Sequence, residues 1–422
     1  MNYRHLPALL FLFAHCFTAH AQDAAEPTLT EKITAAAKAH RERLEYDGRT
    51  FSGPAWDRLL TEGKKAQFLL IGEEHGIAEN PKLAARLFEA LVPSGYSNLA
   101  IEISPPVATL LDLAIHANGL DGLREHFAKP GAEPAFFGMA EEAELLAAAR
   151  AAVKTDAPML WGVDYEVAGF MPLFDALQAA TKPAAAADAL QELRAAADAS
   201  WKKYKETGGP QFIFSFAGDP ALVRAVRDAW PNVDARSDSM LHTLEETLQI
   251  NQLWIQGRAW ESNERRSAFI RDNFLRRWRA AKTSGHAPKV MAKFGASHMV
   301  RGRNMSEVFD LGTLLPELAG IEGSHSFSVM VVPGANSMIA ALDPSAWQYN
   351  AVPAAGGYSE GISAVTTAAY EDTFTLIDLR KLRPVVGWQS GDLDKDLFRV
   401  IHGFDMLLVM SGSTASGELE HD

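Results

Sequence analysis

Cysteine is nearly absent from this 422-residue chain, and the single example, Cys16, lies in the first 21 positions. The chain beyond it can form no disulfide, offer no cysteine nucleophile and bind no metal through thiolate. Positive charge is also short, with 40 Lys and Arg against 53 Asp and Glu and a formal charge of −13. Phosphate contacts need net positive surface, so this balance argues against a nucleic-acid partner. After the N-terminal run no stretch reaches about 18 uninterrupted apolar residues, and stable membrane insertion of the mature chain is not expected. No period of about 20–50 residues recurs, which excludes a solenoid or propeller. HExxH and Gly-rich phosphate loops are missing too, and with them the usual signatures of a zincin helix and a phosphate cradle. What remains is 47% apolar and 22% charged with 31 Gly and 21 Pro, the proportions of a folded globular chain long enough for two or three domains.

The first residues read as a targeting segment. Arg4 gives a positive start, Leu6–Ala14 is an apolar run too short to span a bilayer, and Ala19-His20-Ala21 is a small-x-small cleavage pattern. A signal peptide over 1–21, cleaved after Ala21, is expected, and with it a periplasmic or secreted protein. An uncleaved anchor is the other reading, while Phe13-Ala14-His15 before Cys16 is a poor lipobox.

Strand-length apolar runs recur at Phe68–Gly72, Leu99–Ile103, Pro158–Val163, Lys289–Phe294, Ser326–Val332, Phe374–Leu379 and Phe404–Met410. Helical patterns separate the early ones. Asn80 stands as an N-cap with Pro81 at the first helical position, and Ser104 precedes Pro105-Pro106. Strand, helix, strand at this spacing predicts an α/β fold with a largely parallel central sheet flanked by helices. From 172 to 284 alanine-rich helical periods dominate, which predicts a helical insertion between the third and fourth core strands, acting as a lid or as a packing layer. Arg265, Arg266, Arg271, Arg276, Arg277 and Arg279 make one helix there basic, as a solvated or anion-pairing face. The expected division is thus a helical lead-in over 22–66, core over 67–171 and 285–412 around the insertion, and a flexible tail over 413–422.

In open parallel sheets ligands bind beyond the carboxyl ends of the strands. Glu73, Glu74 and His75 follow the first run, Glu102 ends the second, Asp164 the third, and His298 follows the fourth. Any one of these fits a cap or a solvated loop. Together, two histidines and several carboxylates at equivalent positions suit general-base activation of water, with an acid fixing the imidazole tautomer. The same atoms suit one divalent metal ion on His75, Glu102 and His298. Spacing does not separate the two readings.

"LLIGEEHG" (69–76), "LAIEIS" (99–104), "WGVDYE" (161–166) and "KFGASHMVRG" (293–302) resemble the superfamily that unites erythromycin esterases with ChaN-like haem-binding and Tiki proteins. "RSAFIRDNFLRRW" (266–278), "TLIDLR" (375–380) and "FDMLLVMSGSTA" (404–415) extend the resemblance to the esterase branch. It implies an α/β core and an exported hydrolase that activates water against a small-molecule ester or lactone, with a role in antibiotic resistance. By that motif Glu73 and His75 take the acid and base positions, Glu102 the strand-two glutamate and His298 the late histidine. Glu74, Arg86, Asp164 and Arg301 are expected to bind substrate or support the site. Two departures point to the other branch: Gly72-Glu73-Glu74-His75 is one residue shorter than Gly-Glu-x-x-His, and Gly295 stands where the esterases place an earlier histidine. A periplasmic protein that binds haem or a metal through His75 and His298 is the alternative.

Overall fold

The structure is a computed structural model describing residues 26–154, 157–282, 287–354, 361–387 and 393–420. The expected signal peptide over 1–21, with Cys16, lies outside the described residues.

Among the described residues, nine strands form one sheet in the order β2-β1-β10-β11-β7-β3-β6-β4-β5. These are β1 (Arg41–Tyr46), β2 (Phe51–Ser52), β3 (Phe68–Glu73), β4 (Tyr96–Ile101), β5 (Leu160–Gly162), β6 (Lys289–Gly295), β7 (Ser326–Pro333), β10 (Phe374–Asp378) and β11 (Met406–Met410). A separate antiparallel hairpin joins β8 (Met338–Asp343) and β9 (Gln348–Pro353). From β11 to β5 every pairing is parallel, whereas β10, β1 and β2 are added antiparallel at one edge. All seven expected strands are present, and the largely parallel α/β sheet flanked by helices is the architecture observed.

β3, β7 and β11 are buried along their whole length, as continuous apolar strands covered on both faces must be. The pleat divides their side chains between two cores. Leu69 and Ile71 join the one packed by α3 (Glu79–Leu91), α4 (Pro105–Phe127) and α5 (Ala140–Ala152). Phe68 and Leu70 join the other with Ile270 and Phe274.

Helices fill 171–281 between β5 and β6, with no strand among their described residues. They are α6 (Met171–Ala179), α7 (Ala184–Thr207), α8 (Phe214–Ala217), α9 (Pro220–Asp228), α10 (Ala235–Ile255) and α11 (Ala259–Ala281). The chain then returns as β6 between β3 and β4. That crossover sets the carboxyl ends of β3, β6 and β4 side by side and brings together positions more than two hundred residues apart.

Three expectations are corrected. The lead-in is not purely helical: between α1 (Leu29–Ala39) and α2 (Pro54–Lys65) lie β1 and β2. In β1 only Leu44 is fully buried, and the charges of Arg41, Glu42, Arg43 and Glu45 mask its signal. Of the expected flexible tail, residues 413–420 are held in place. Thr414 donates its N–H and Oγ1 to Glu79 at 2.9 and 2.7 Å, Ala415 bridges Ile77, and Leu419 is buried. Asn80 is not the cap of α3, which starts at Glu79; its side chain turns instead to Glu73.

The β8–β9 hairpin is seated on the loop after β3, where Ala340 N–H donates to Gly76 O at 2.9 Å. Gly76 has φ +89°, and a Cβ there would lie 2.3 Å from Ala340 O. Gly76→Ala should therefore lower the unfolding free energy by about 1–3 kcal/mol, read by urea denaturation.

Candidate active site

Glu73 closes β3, and the loop after it turns His75 back so that its Nδ1 meets Glu73 Oε1 at 2.9 Å. Buried Glu73 accepts from Asn80 through its other oxygen and from Lys293 Nζ at 2.6 Å. Glu73, not Glu74, thus orients the ring, because Glu74 makes no hydrogen bond to it and leaves its buried Oε2 unpartnered. Phe136 stacks on the imidazole at 4.1 Å and 11°, and its own N–H donates to Tyr349 Oη on the hairpin at 2.6 Å. His75 is clamped between an acid and an aromatic plane.

Glu102 follows β4 directly. Its Oε2 accepts the Gly295 N–H at 2.7 Å and lies 3.6 Å from His75 Nε2. Its Oε1 accepts from Arg266 Nη2 at 2.8 Å and lies 3.2 Å from His298 Nε2. His298 sits on α12 (Ala296–Met299), the short turn after β6, with Nδ1 2.8 Å from Asp310 Oδ2. Asp310 caps α13 (Leu311–Ile321) and also accepts from Ser267 Oγ at 2.7 Å. Arg266, from α11, forks onto Asp164 with Nε 3.0 Å from Oδ1, and its guanidinium covers the Tyr165 ring at 4.6 Å. Two acid–histidine pairs, Glu73–His75 and Asp310–His298, therefore face the two oxygens of one carboxylate.

The charges follow from the neighbours. Burial opposes ionisation of Glu102, but His298, His75 and Arg266 together pull its carboxyl well below the usual range. Burial works against the His298 imidazolium as well, yet Glu102 and Asp310 push its pKa up to about 10, despite the opposing Arg266. For His75, burial is outweighed by Glu73 and Glu102, and the value is raised. His298 is thus a fixed cation at neutral pH, and the same kind of acid partner favours the cationic form of His75.

Of the expected site residues, Glu73, His75, Glu102, Asp164 and His298 converge, and Glu74 borders them. Arg86 and Arg301 do not belong. Arg86 pairs with Glu89 at 2.9 Å on the solvent face of α3, a helix whose other side packs on the sheet. Arg301 lies 3.8 Å from Asp405 and lines a different cavity with Arg303, Arg399 and His402. Sequence reasoning missed Arg266, Asp310 and Lys293. Arg266 stands in the arginine run read as an anion-pairing face, and the acids it pairs with belong to the site.

A metal does not fit these residues as they stand. Among the described residues, the side chains close enough to share an ion are Glu102, Asp164 and His298, a set that omits His75. Arg266 already bridges both of its acids and supplies the positive charge an ion would bring. Each histidine has Nδ1 held by an acid; His298 Nε2 lies 3.2 Å from Glu102 Oε1, whereas His75 Nε2 stands 3.6 Å from Glu102 Oε2 and makes no hydrogen bond to it.

No protein-family profile matches the chain, and no curated protein matches it. Solved structures share its fold. A protein from Bacillus cereus aligns at 16% identity over 93% of this chain and 100% of its own, with a TM-score of 0.56. A succinoglycan biosynthesis protein aligns at 13% identity over 92% and 99%, with a TM-score of 0.58. An erythromycin esterase in an open conformation aligns at 13% identity over 90% and 98%, with a TM-score of 0.57. At these identities the likeness is one of fold, and the fold is erythromycin esterase-like.

The raised His298 value has a sign that stability can report. A folded pKa near 10 stabilises fully below the ordinary histidine value of about 6.5 and loses that contribution as pH climbs toward 10. Chemical denaturation across that window should show a fall in unfolding free energy that is smaller in His298→Gln than in the parent.

Proposed function

We propose that this protein is a hydrolase of esters or lactones that activates water through His75. The observation that carries the reading is the pair of acid-held imidazoles facing one carboxylate beside a half-buried guanidinium. With Nδ1–H donated to Glu73, neutral His75 turns its Nε2 lone pair toward the space before Glu102. Water held there gives its proton to Nε2 as its oxygen bonds to the acyl carbon. The His298 imidazolium and Arg266 supply positive charge for the oxyanion that develops. When the carbon–oxygen bond breaks, the His75 Nε2–H returns the proton to the leaving alkoxide, giving acid and alcohol. Glu102 holds the two cations and aligns the Gly295 amide, and Asp164 fixes the guanidinium.

A cavity of about 310 Å³ opens beside Arg266, with Tyr165, Phe216, Ile250 and Trp254 on its walls and Asn263 and Ser306 at its edge. Its mixed lining offers Phe216, Ile250 and Trp254 to the carbon skeleton of a small-molecule ester or lactone and Asn251, Ser262 and Asn263 to its polar groups. The shared fold with an erythromycin esterase supports the same class of bond and leaves macrolides as one candidate substrate. We place the site of action outside the cytoplasm on the strength of Arg4, the Leu6–Ala14 run and Ala19-His20-Ala21.

Profiling the mature protein against esters, lactones and macrolides tests the reading. His75→Gln should keep the melting temperature and cost about 10²–10⁴-fold in kcat/KM, and Asp310→Asn should reduce it less. Dialysis against a chelator should leave turnover unchanged, since Arg266 stands where an ion would bind. Turnover that survives in His75→Gln, or that vanishes with chelator and returns with a metal, overturns it.

A further inference from the structure

Lys293 is fully buried in the middle of the sheet, on a strand whose neighbours are Ala292 and Phe294. Its Nζ lies 2.6 Å from Glu73 Oε1 and 2.5 Å from Glu142 Oε1, and Glu142 is equally enclosed in the first turn of α5. Its contact with Glu73 falls on the same oxygen that receives His75 Nδ1. A buried ammonium between two carboxylates is seldom retained for stability, because apolar side chains of similar volume serve a core at least as well. The shared oxygen gives it another use. Each donor that Oε1 accepts reduces the charge it offers to the next, and a cation at this range disfavours a second one on the imidazole.

We propose that Lys293, anchored by Glu142, is a positioning residue that competes with His75 for one oxygen of Glu73 and so keeps the imidazole able to release its proton. The proposal rests on the reading of His75 as the water-activating base. The charged groups around that ring are Glu73, Glu102 and Glu74, with Lys293 and Glu142 behind Glu73 and with His298 and Arg266 beyond Glu102. Glu102 pulls the ring toward the cationic form, and Lys293 is the counterweight on the other side. Glu142 sets its strength, since an ionised Glu142 draws the ammonium away from Glu73 and a neutral one leaves it there. Glu142 is well placed for this: burial and nearby Glu73 raise its carboxyl against the pull of Lys293, to about 7.

The test is the ring titration of His75, followed by NMR on the full mature chain and assigned with His75→Gln, together with the pH profile of kcat/KM. Lys293→Met removes the competing cation and should raise the His75 midpoint and the acid limb of the profile by about one pH unit. Glu142→Gln leaves the ammonium undivided on Glu73 and should move both the other way. Should Lys293→Met fail to fold, Glu142→Gln decides alone, because it keeps an acceptor for Lys293. Midpoints that stay in place, or that move in the same direction in both variants, overturn the proposal. The NMR readout needs no substrate, so opposite shifts in a protein that hydrolyses nothing would uphold the coupling and defeat the hydrolase reading.

Discussion

The Glu102 carboxylate is the point on which this site balances. It sits at the end of a parallel strand, almost removed from water, and a bare anion there would be costly. Arg266, His298, His75 and the Gly295 amide converge on its two oxygens. Each of these is held in turn by something buried: Asp164 for the guanidinium, Asp310 and Glu73 for the imidazoles. The outer acids thus determine which way every donor points, and the helical insertion is bound into the arrangement because α11 carries Arg266. The insertion is less a cover laid over the sheet than a wall of the site.

The same balance explains why the donor set differs from a metal centre with similar residues. Cations and anions are closely matched within the cluster, and positive charge is already built in as a guanidinium, which remains protonated at any working pH. Gly295 belongs to this economy of space. A Cβ there would come within 3.1 Å of His75 Nε2 and 3.3 Å of Glu102 Oε2, so the glycine leaves room for the two groups to approach.

Much of this was legible in the chain. Doubly covered strands are continuous apolar runs, and all seven such runs became strands. The acids and histidines at their ends met because parallel strands deliver their carboxyl ends to one edge. What escaped notice has physical reasons. Strand β1 carries Arg41, Glu42, Arg43 and Glu45, so its alternation is diluted by charge, and in the β8–β9 hairpin only Ala340 is fully buried. Arg266 was visible only as one of six arginines, since helical periodicity cannot tell which will turn inward when the partner acids lie 102 and 164 residues away. Asp310 looks like an ordinary helix cap and is one; its second oxygen does the further task. Lys293 interrupts the apolar run Lys289–Phe294, and the rule that a buried charge needs a partner would have singled it out.

The place of β6 in the sheet has a consequence for how the protein is made. Glu73 and Glu102 are synthesised early and lie on strands that do not touch, because the position between them is reserved for a strand that emerges almost two hundred residues later. Until it arrives the two acids can stay hydrated and the sheet is split. Insertion of that one strand delivers an ammonium, an amide and an imidazole together. Closing so long a loop is an entropically demanding step, which makes it a natural gate between a collapsed chain and a working one. A nascent or truncated chain that stops short of it carries Glu73, Glu102 and Asp164 without Lys293 and His298, two of the cations that let them be buried.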